Sequence, residues 1–223
     1  MPAYECAYCG AIAPATDDHV PPRSFFRGLA QLQLRSVKAC EPCNRGASLD
    51  DEYFRDTVLK YHRVSDQSQA QSAVESMMRA MALPAKRQYA AATMSSLRSV
   101  EVVDPVSGLL AVRDAVSVDE CRLQRTAIRY ARGLHRAEYG VRVPADMPAR
   151  AVVNPEAVHA NAEAFELGFR GADLIDIQLG VFWALVRRER ESRSTSTWLM
   201  VFYDAFPVIV AFRPSVAVPS AAS

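Results

Sequence analysis

Four cysteines fall into two pairs, Cys6-Ala7-Tyr8-Cys9 and Cys40-Glu41-Pro42-Cys43. A two-residue gap lets both sulfurs of a knuckle face one ion, and two knuckles complete the tetrahedral sulfur shell that zinc prefers. In a reducing compartment such thiols read as a metal site rather than as disulfides. Four thiolates leave no open coordination position, so zinc on Cys6, Cys9, Cys40 and Cys43 is expected to serve folding and not chemistry. The residues suited to chemistry lie between and just after the knuckles, in Thr16-Asp17-Asp18-His19-Val20-Pro21-Pro22 and Cys43-Asn44-Arg45-Gly46. An ion tying the knuckles together also brings these two segments close. The Asp18 carboxylate and the Asn44 amide oxygen suit a hard divalent cation such as Mg2+ or Mn2+. The His19 imidazole suits proton removal from water near neutral pH. That trio is what metal-assisted phosphodiester hydrolysis requires. Arg23 and Arg45 stand next to the two segments and are the candidate phosphate contacts. Asp51 is read as a cap or supporting group before a metal ligand, and Asp17 as a spare ligand. Plainer roles stay open on residue type alone: a turn histidine, a capping aspartate, a turn asparagine, four buried thiols or a redox pair.

These motifs resemble a known family. Cys-x-x-Cys, Asp-His-Val-x-Pro and Cys-x-x-Cys-Asn are similar to the zinc-bearing HNH endonucleases of the ββα-metal (treble-clef) fold. The closer resemblance is to an uncharacterised bacterial branch, through residues 6–10, 16–22 and 43–54 and a downstream Arg132-Gly133-Leu134. The specific motifs cover residues 6–56, about a quarter of the chain. The resemblance implies His19 as general base, Asp18 and Asn44 as ligands of the catalytic cation, and a product bearing a 5′-phosphate. It also implies DNA rather than RNA as substrate. The family often has a further asparagine bracing the histidine loop. Residues 23–39 contain no Asn, and Ser36, Gln33 and Gln31 are the polar residues that could replace it.

The elements that must position these groups are legible in part. Ser48-Leu49-Asp50-Asp51-Glu52 reads as a helix start, with Ser48 as cap and the acids favoured by the helix dipole. Phe54, Val58 and Tyr61 give that helix an apolar face, and Ala70, Val74, Met77 and Met81 mark a second helix stopped by Pro84. Residues 86–98 form a weaker helix candidate. Residues 100–104 and 109–114 flank a hairpin turn at Pro105-Val106-Ser107-Gly108. A long helix is expected over 118–136 and another over 155–167, the second with Pro155 in its first turn. Strands are expected over 175–188, 198–202 and 208–212, with a polar hairpin loop at 187–197 and a frayed tail at 214–223.

In the long helix, Arg122, Arg125, Arg129, Arg132 and Arg136 recur at intervals of 3, 4, 3 and 4, beside an apolar stripe of Leu123, Ala127, Tyr130 and Leu134. Such a row can track a phosphate backbone, and more commonly forms a solvated face or pairs with acids elsewhere. His62, His135 and His159 have no partner at metal spacing and read as structural. Cys121 reads as a core or helix-surface thiol, and Trp183 and Trp198 as core.

With 223 residues, half of them hydrophobic, the chain can bury a substantial core, which excludes a disordered or disulfide-framework protein. Its 26 basic and 25 acidic residues exclude a uniformly basic nucleic-acid coat but not a local basic surface. No apolar run approaches the ~18 residues of a membrane span. The N-terminus lacks a signal-peptide pattern. A soluble, cytoplasmic protein is expected.

The expected fold is α+β: a ββα-metal zinc module over residues 1–63, then a helical and antiparallel-sheet region over 64–223. The later region would serve substrate placement, oligomerisation as a homo-oligomer, or regulation through a protein partner. The expected function is a divalent-metal-dependent endonuclease acting on nucleic acid. The alternatives are a zinc-stapled module that binds nucleic acid or protein without catalysis, and a redox or purely structural zinc protein.

Overall fold

The structure, a computed structural model, describes residues 3–29, 33–103, 108–189 and 192–214. The expected turn residues 105–107, the tail from 215, Gln31 and part of the 187–197 loop lie outside them. The chain is a mixed α and β protein. Strands β1 (Ala3–Glu5), β2 (Ile12–His19) and β3 (Ser36–Cys40) pair in that order as an antiparallel sheet. Helices α1 (Glu41–Asn44), α2 (Ser48–Lys60), α3 (His62–Ser65), α4 (Gln71–Met81) and α5 (Arg87–Ser95) follow. Strands β4 (Arg98–Val103) and β5 (Leu110–Ala115) form the expected hairpin. Helix α6 (Glu120–Tyr139) is the long helix, capped by the Asp119 side chain and closed by Gly140 in the left-handed region at φ 67°. Strand β6 (Ala149–Val152), helices α7 (Pro155–Ala160) and α8 (Ala162–Gly168), and strands β7 (Asp173–Gln178), β8 (Phe182–Arg188), β9 (Ser196–Phe202) and β10 (Phe206–Phe212) complete the chain. The last four strands form an antiparallel meander, and β6 adds to the free edge of β10. No helix among the described residues is long and apolar enough to cross a membrane.

Several local expectations change. Ser48 does not cap α2: a 3-10 turn over Arg45–Ala47 runs directly into the helix, so Ser48 already lies inside it. The single helix expected over 155–167 is broken at Asn161, which leaves helical geometry. The strand expected over 175–188 is two strands, because Gly180 takes φ 75° and supports a turn. The short strands β1 and β6 had no periodic signal of their own.

One apolar core runs through the molecule. Phe25 from the turn after His19, Phe54 of α2, Tyr130 of α6 and Phe202 of β9 meet in it, with Phe25–Phe202 ring centroids at 4.9 Å and Phe54–Tyr130 at 5.3 Å. Cys6, Val20 and Val37 belong to the same core as Trp198, Met200 and Phe212. This core draws on residues from both sides of position 63. Strand β9 is buried on both sides: Trp198, Met200 and Phe202 face this core, while Leu199 and Val201 face a second cluster with Val158 and Phe169 from the α7–α8 segment. Trp198 is core as expected, whereas Trp183 is half-buried on the outer face and donates to Asp204 Oδ1 at 2.8 Å.

Candidate metal centre and Asp-His site

The turn after β1 carries Cys6 and Cys9; β3 ends on Cys40, and α1 carries Cys43. Pairing of β1 with β2 and of β2 with β3 places the two knuckles side by side. The four sulfurs lie within 4.8 Å of one another, a set that could hold a metal ion such as zinc. All four are free thiols, with Cys9 and Cys40 Sγ atoms at 3.8 Å. Burial raises the Cys6 thiol, but backbone N–H groups of Cys9, Cys40 and Tyr8 outweigh it and bring the thiol down to about 6. Burial pushes the Cys43 thiol up. A sulfur already solvated by amide donors is suited to the thiolate form that a metal needs. Among the described residues no other group of three or more His, Cys, Asp or Glu side chains is gathered this way.

Asp18 and His19 close β2. Adjacent strand residues point to opposite faces, so the two side chains separate. Asp18 faces inward with Val37, its cross-strand neighbour, and is 7 % exposed. His19 lies opposite Ser36, half-buried. Its Nδ1 is shielded from solvent and has no hydrogen-bond partner among the described residues. Asn44 is pinned to the same strand: its Nδ2 donates to Thr16 Oγ1 at 2.7 Å and to the Asp17 carbonyl at 3.4 Å. Asn44 Oδ1 and Asp18 Oδ1 accept no hydrogen bond from the described residues. Asp17 faces outward and pairs with Lys38 at 2.8 Å.

Asp18 is not alone on its face. Its Oδ2 accepts from the Tyr8 hydroxyl at 2.6 Å and from Arg129 Nη2 of α6. Arg129 Nη1 donates to Asp51 of α2 at 2.8 Å, and its guanidinium lies 4.7 Å from the Tyr8 ring centroid. One guanidinium thus joins two carboxylates from two elements of the N-terminal segment. Burial pushes the Asp51 carboxyl up to about 6 against the pull of Arg129. The Tyr130 hydroxyl is fully buried against the Asp51 carboxyl.

The loop after His19 is held by packing. Val20, Phe25 and Phe26 are buried, and the Tyr203 hydroxyl donates to the Phe25 carbonyl at 2.5 Å. Gly133 of α6 passes so close that a Cβ there would meet Val20 Cγ2 at 2.7 Å and the Tyr8 hydroxyl at 3.0 Å. This close approach accounts for the glycine of Arg132-Gly133-Leu134. Among the described residues neither Ser36 nor Gln33 makes a side-chain hydrogen bond to this loop, and Tyr203 and the α6 backbone at Gly133 pack against it.

The arginine stripe is largely internal. Arg122 donates to Asp50 Oδ1 at 2.6 Å and to the Leu49 carbonyl at 2.7 Å. Arg136 pairs with Glu5 at 3.3 Å and donates to the Gly140 carbonyl. Arg132 donates to the carbonyls of Ala145 and Met147 at 2.9 and 3.4 Å. Arg125 is exposed. Of the proposed phosphate contacts, Arg23 is exposed and Arg45 is tied to Glu41 at 2.9 Å on the surface. His135 is buried between the Arg193 carbonyl and Ser196 Oγ, and His159 reaches the Ala205 carbonyl at 2.9 Å. His62 and Cys121 are exposed.

Sequence reading did not single out Tyr8 or the particular role of Arg129. Tyr8 lies inside a knuckle, where attention goes to the sulfurs, and Arg129 was one of five equivalent positions. No family model, curated protein or solved structure matches this chain.

Proposed function

We propose that this chain is a zinc-stapled, divalent-metal-dependent nuclease that hydrolyses phosphodiester bonds of nucleic acid, DNA by preference, with a treble-clef-like N-terminal module. The reading rests on the resemblance of its motifs to HNH endonucleases. The observation that carries it is the pinning of Asn44, the residue after the last cysteine, onto the strand that ends in Asp18-His19. Asp18 Oδ1 and Asn44 Oδ1 are the two uncommitted oxygens that would hold the cation, with water and substrate oxygens filling the rest of the shell. A cation there supplies charge stabilisation to the scissile phosphate and the leaving 3′-oxygen.

The chain's own contribution is acid–base chemistry and placement. His19 Nε2 takes a proton from water, and the hydroxide forms a P–O bond as the P–O3′ bond breaks. The 3′-oxygen leaves with a proton from solvent, and the 5′ side keeps the phosphate. Tyr8 and Arg129 fix the Asp18 carboxylate by its other oxygen, so only one face of it is presented. Arg23, exposed just after the histidine, is the proposed phosphate contact that has no carboxylate partner among the described residues, whereas Arg45 is tied to Glu41.

A second reading, a module that binds nucleic acid without cutting it, is favoured by one observation. Arg129 already neutralises Asp18 and Asp51, which weakens the pull on a dication. Plasmid nicking separates the two. Wild-type protein should nick in Mg2+ or Mn2+ and not in chelator, and His19→Ala should abolish nicking while unfolding as the wild type does. DNA retention without nicking in any metal would establish the binding module instead.

A further inference from the structure

Beside Asp18, α6 and the chain entering β6 line an open cavity of about 420 Å³ whose walls include Tyr8, Arg125, Arg129, Arg132 and Met147. Three of its seven lining residues are arginines and none is acidic. Their charges are unequally satisfied. Arg129 spends its two terminal nitrogens on Asp18 and Asp51, away from the cavity's own lining. Arg132 donates to carbonyl oxygens and has no ion pair among the described residues, although the Asp146 carboxylate is near enough to act on its charge. Arg125 has neither an ion pair nor a hydrogen bond among the described residues. In addition, Arg129 Nε and Arg132 Nε are buried donors without an acceptor among the described residues. Burial, and then the charge of Arg142, hold the Arg132 guanidinium below its ordinary range. The Arg125 guanidinium, without a carboxylate partner among the described residues and beside the unmet Nε donors of Arg129 and Arg132, favours an anion, and phosphate oxygens match the fork geometry of such groups.

We infer that this cavity is a phosphate subsite, occupied by a phosphodiester of the same strand whose neighbouring linkage lies at Asp18 and His19. Tyr8 and Arg129 form the partition: both line the cavity, and both touch Asp18. Substrate bound in the subsite therefore presses on the groups that orient Asp18. The ligand's identity rests on the nucleic-acid reading above; the anion preference rests on the cavity alone.

The test is binding of a fluorescein-labelled DNA 12-mer by anisotropy, in EDTA so that no cleavage occurs, across a salt series. Arg125 is exposed, so Arg125→Gln and Arg125→Glu leave the core untouched. Arg125→Gln should weaken binding about threefold or more and lower the slope of log K against log salt by about 0.7–0.9, the effect of one phosphate contact. Arg125→Glu should weaken it about tenfold. Arg79→Gln removes an exposed arginine of α4 that lies outside this cavity, and it should match the wild type. Both Arg125 variants behaving like Arg79→Gln would overturn the subsite. Displacement of the 12-mer by millimolar inorganic phosphate at constant ionic strength would overturn the strand assignment in favour of free phosphate. Arg125-dependent binding without nicking under any metal would uphold the subsite and remove the nuclease. Nicking with Arg125 variants that bind normally would do the reverse.

Discussion

Replacing Arg129 by methionine tests the electrostatic centre of the molecule. The substitution keeps most of the buried stem and removes a guanidinium that holds Asp18 and Asp51 together. Arg129 and Asp51 side chains are each 15 % exposed and Asp18 is 8 %, so solvent screens the loss poorly. Breaking a buried ion pair by removing one partner costs about 3–5 kcal/mol, because the remaining charge is left uncompensated. At pH 7.5 the variant should therefore lose about 3–5 kcal/mol, a large part of the roughly 5–15 kcal/mol available to a domain. The loss must shrink in acid. Burial already holds the Asp51 carboxyl at about 6, and removal of Arg129 takes away its main downward pull. A carboxyl whose folded pKa lies above its unfolded value contributes fully below the unfolded pKa and loses that contribution as pH rises through the folded one. At pH 5 much of the strain is relieved by protonation, and the deficit should fall to about 2 kcal/mol or less by the same linkage. Urea titrations followed by tryptophan fluorescence at the two pH values give both numbers. Arg129→Lys keeps the charge but not the fork, and should fall between. A deficit under 1 kcal/mol at pH 7.5, or one that does not change at pH 5, would refute the account of Arg129 as the bridge between Asp18 and Asp51.

Three further outcomes follow. Purified protein should carry one zinc per chain by elemental analysis, and Cys43→Ser or a strong chelator should lower the melting temperature steeply; structural zinc contributes about 10–16 kcal/mol in small domains, and an unaltered melting curve after verified metal loss would remove the staple. Gly133→Ala should destabilise by about 1–2 kcal/mol, because overpacking against stiff, buried Val20 outweighs the ~1 kcal/mol gained from helix propensity; a stabilised variant would show that α6 can move away freely. Burial holds His135 below its ordinary range, so the folded protein stays neutral there while the unfolded chain takes up a proton below pH ~6.5. Stability should fall with pH there by up to ~1.4 kcal/mol per unit from this group, and His135→Gln should flatten that slope in urea titrations; parallel slopes in the two proteins would contradict it.

What was legible in the sequence is what depends on near neighbours. The knuckle spacing placed four sulfurs together, and the 3.6 period of Leu123, Ala127, Tyr130 and Leu134 located α6 to within a few residues. The Pro-Gly punctuation located the β4–β5 hairpin. Short strands such as β1 and β6 escaped because three or four residues carry no period, and their existence depends on an edge supplied from elsewhere. The arginine stripe shows the same limit in the site. Five arginines on one helix face are equivalent by pattern, yet Arg122 and Arg129 find acids 72 to 111 residues away, while Arg125 finds none. Which cation is structural and which is free for a ligand is decided by those distant partners. The Gly133 position makes the point from the other side. A glycine inside a helix costs stability unless something needs the space, and what needs it is Val20, the residue after His19, together with Tyr8 of the first knuckle. The C-terminal region therefore does more than follow the cysteine module. Its α6 backbone sets how close the His19 loop can lie, and its Arg129 side chain sets the charge beside Asp18. For that reason the N-terminal segment alone should not retain the geometry of Asp18 and His19, however well its cysteines hold metal.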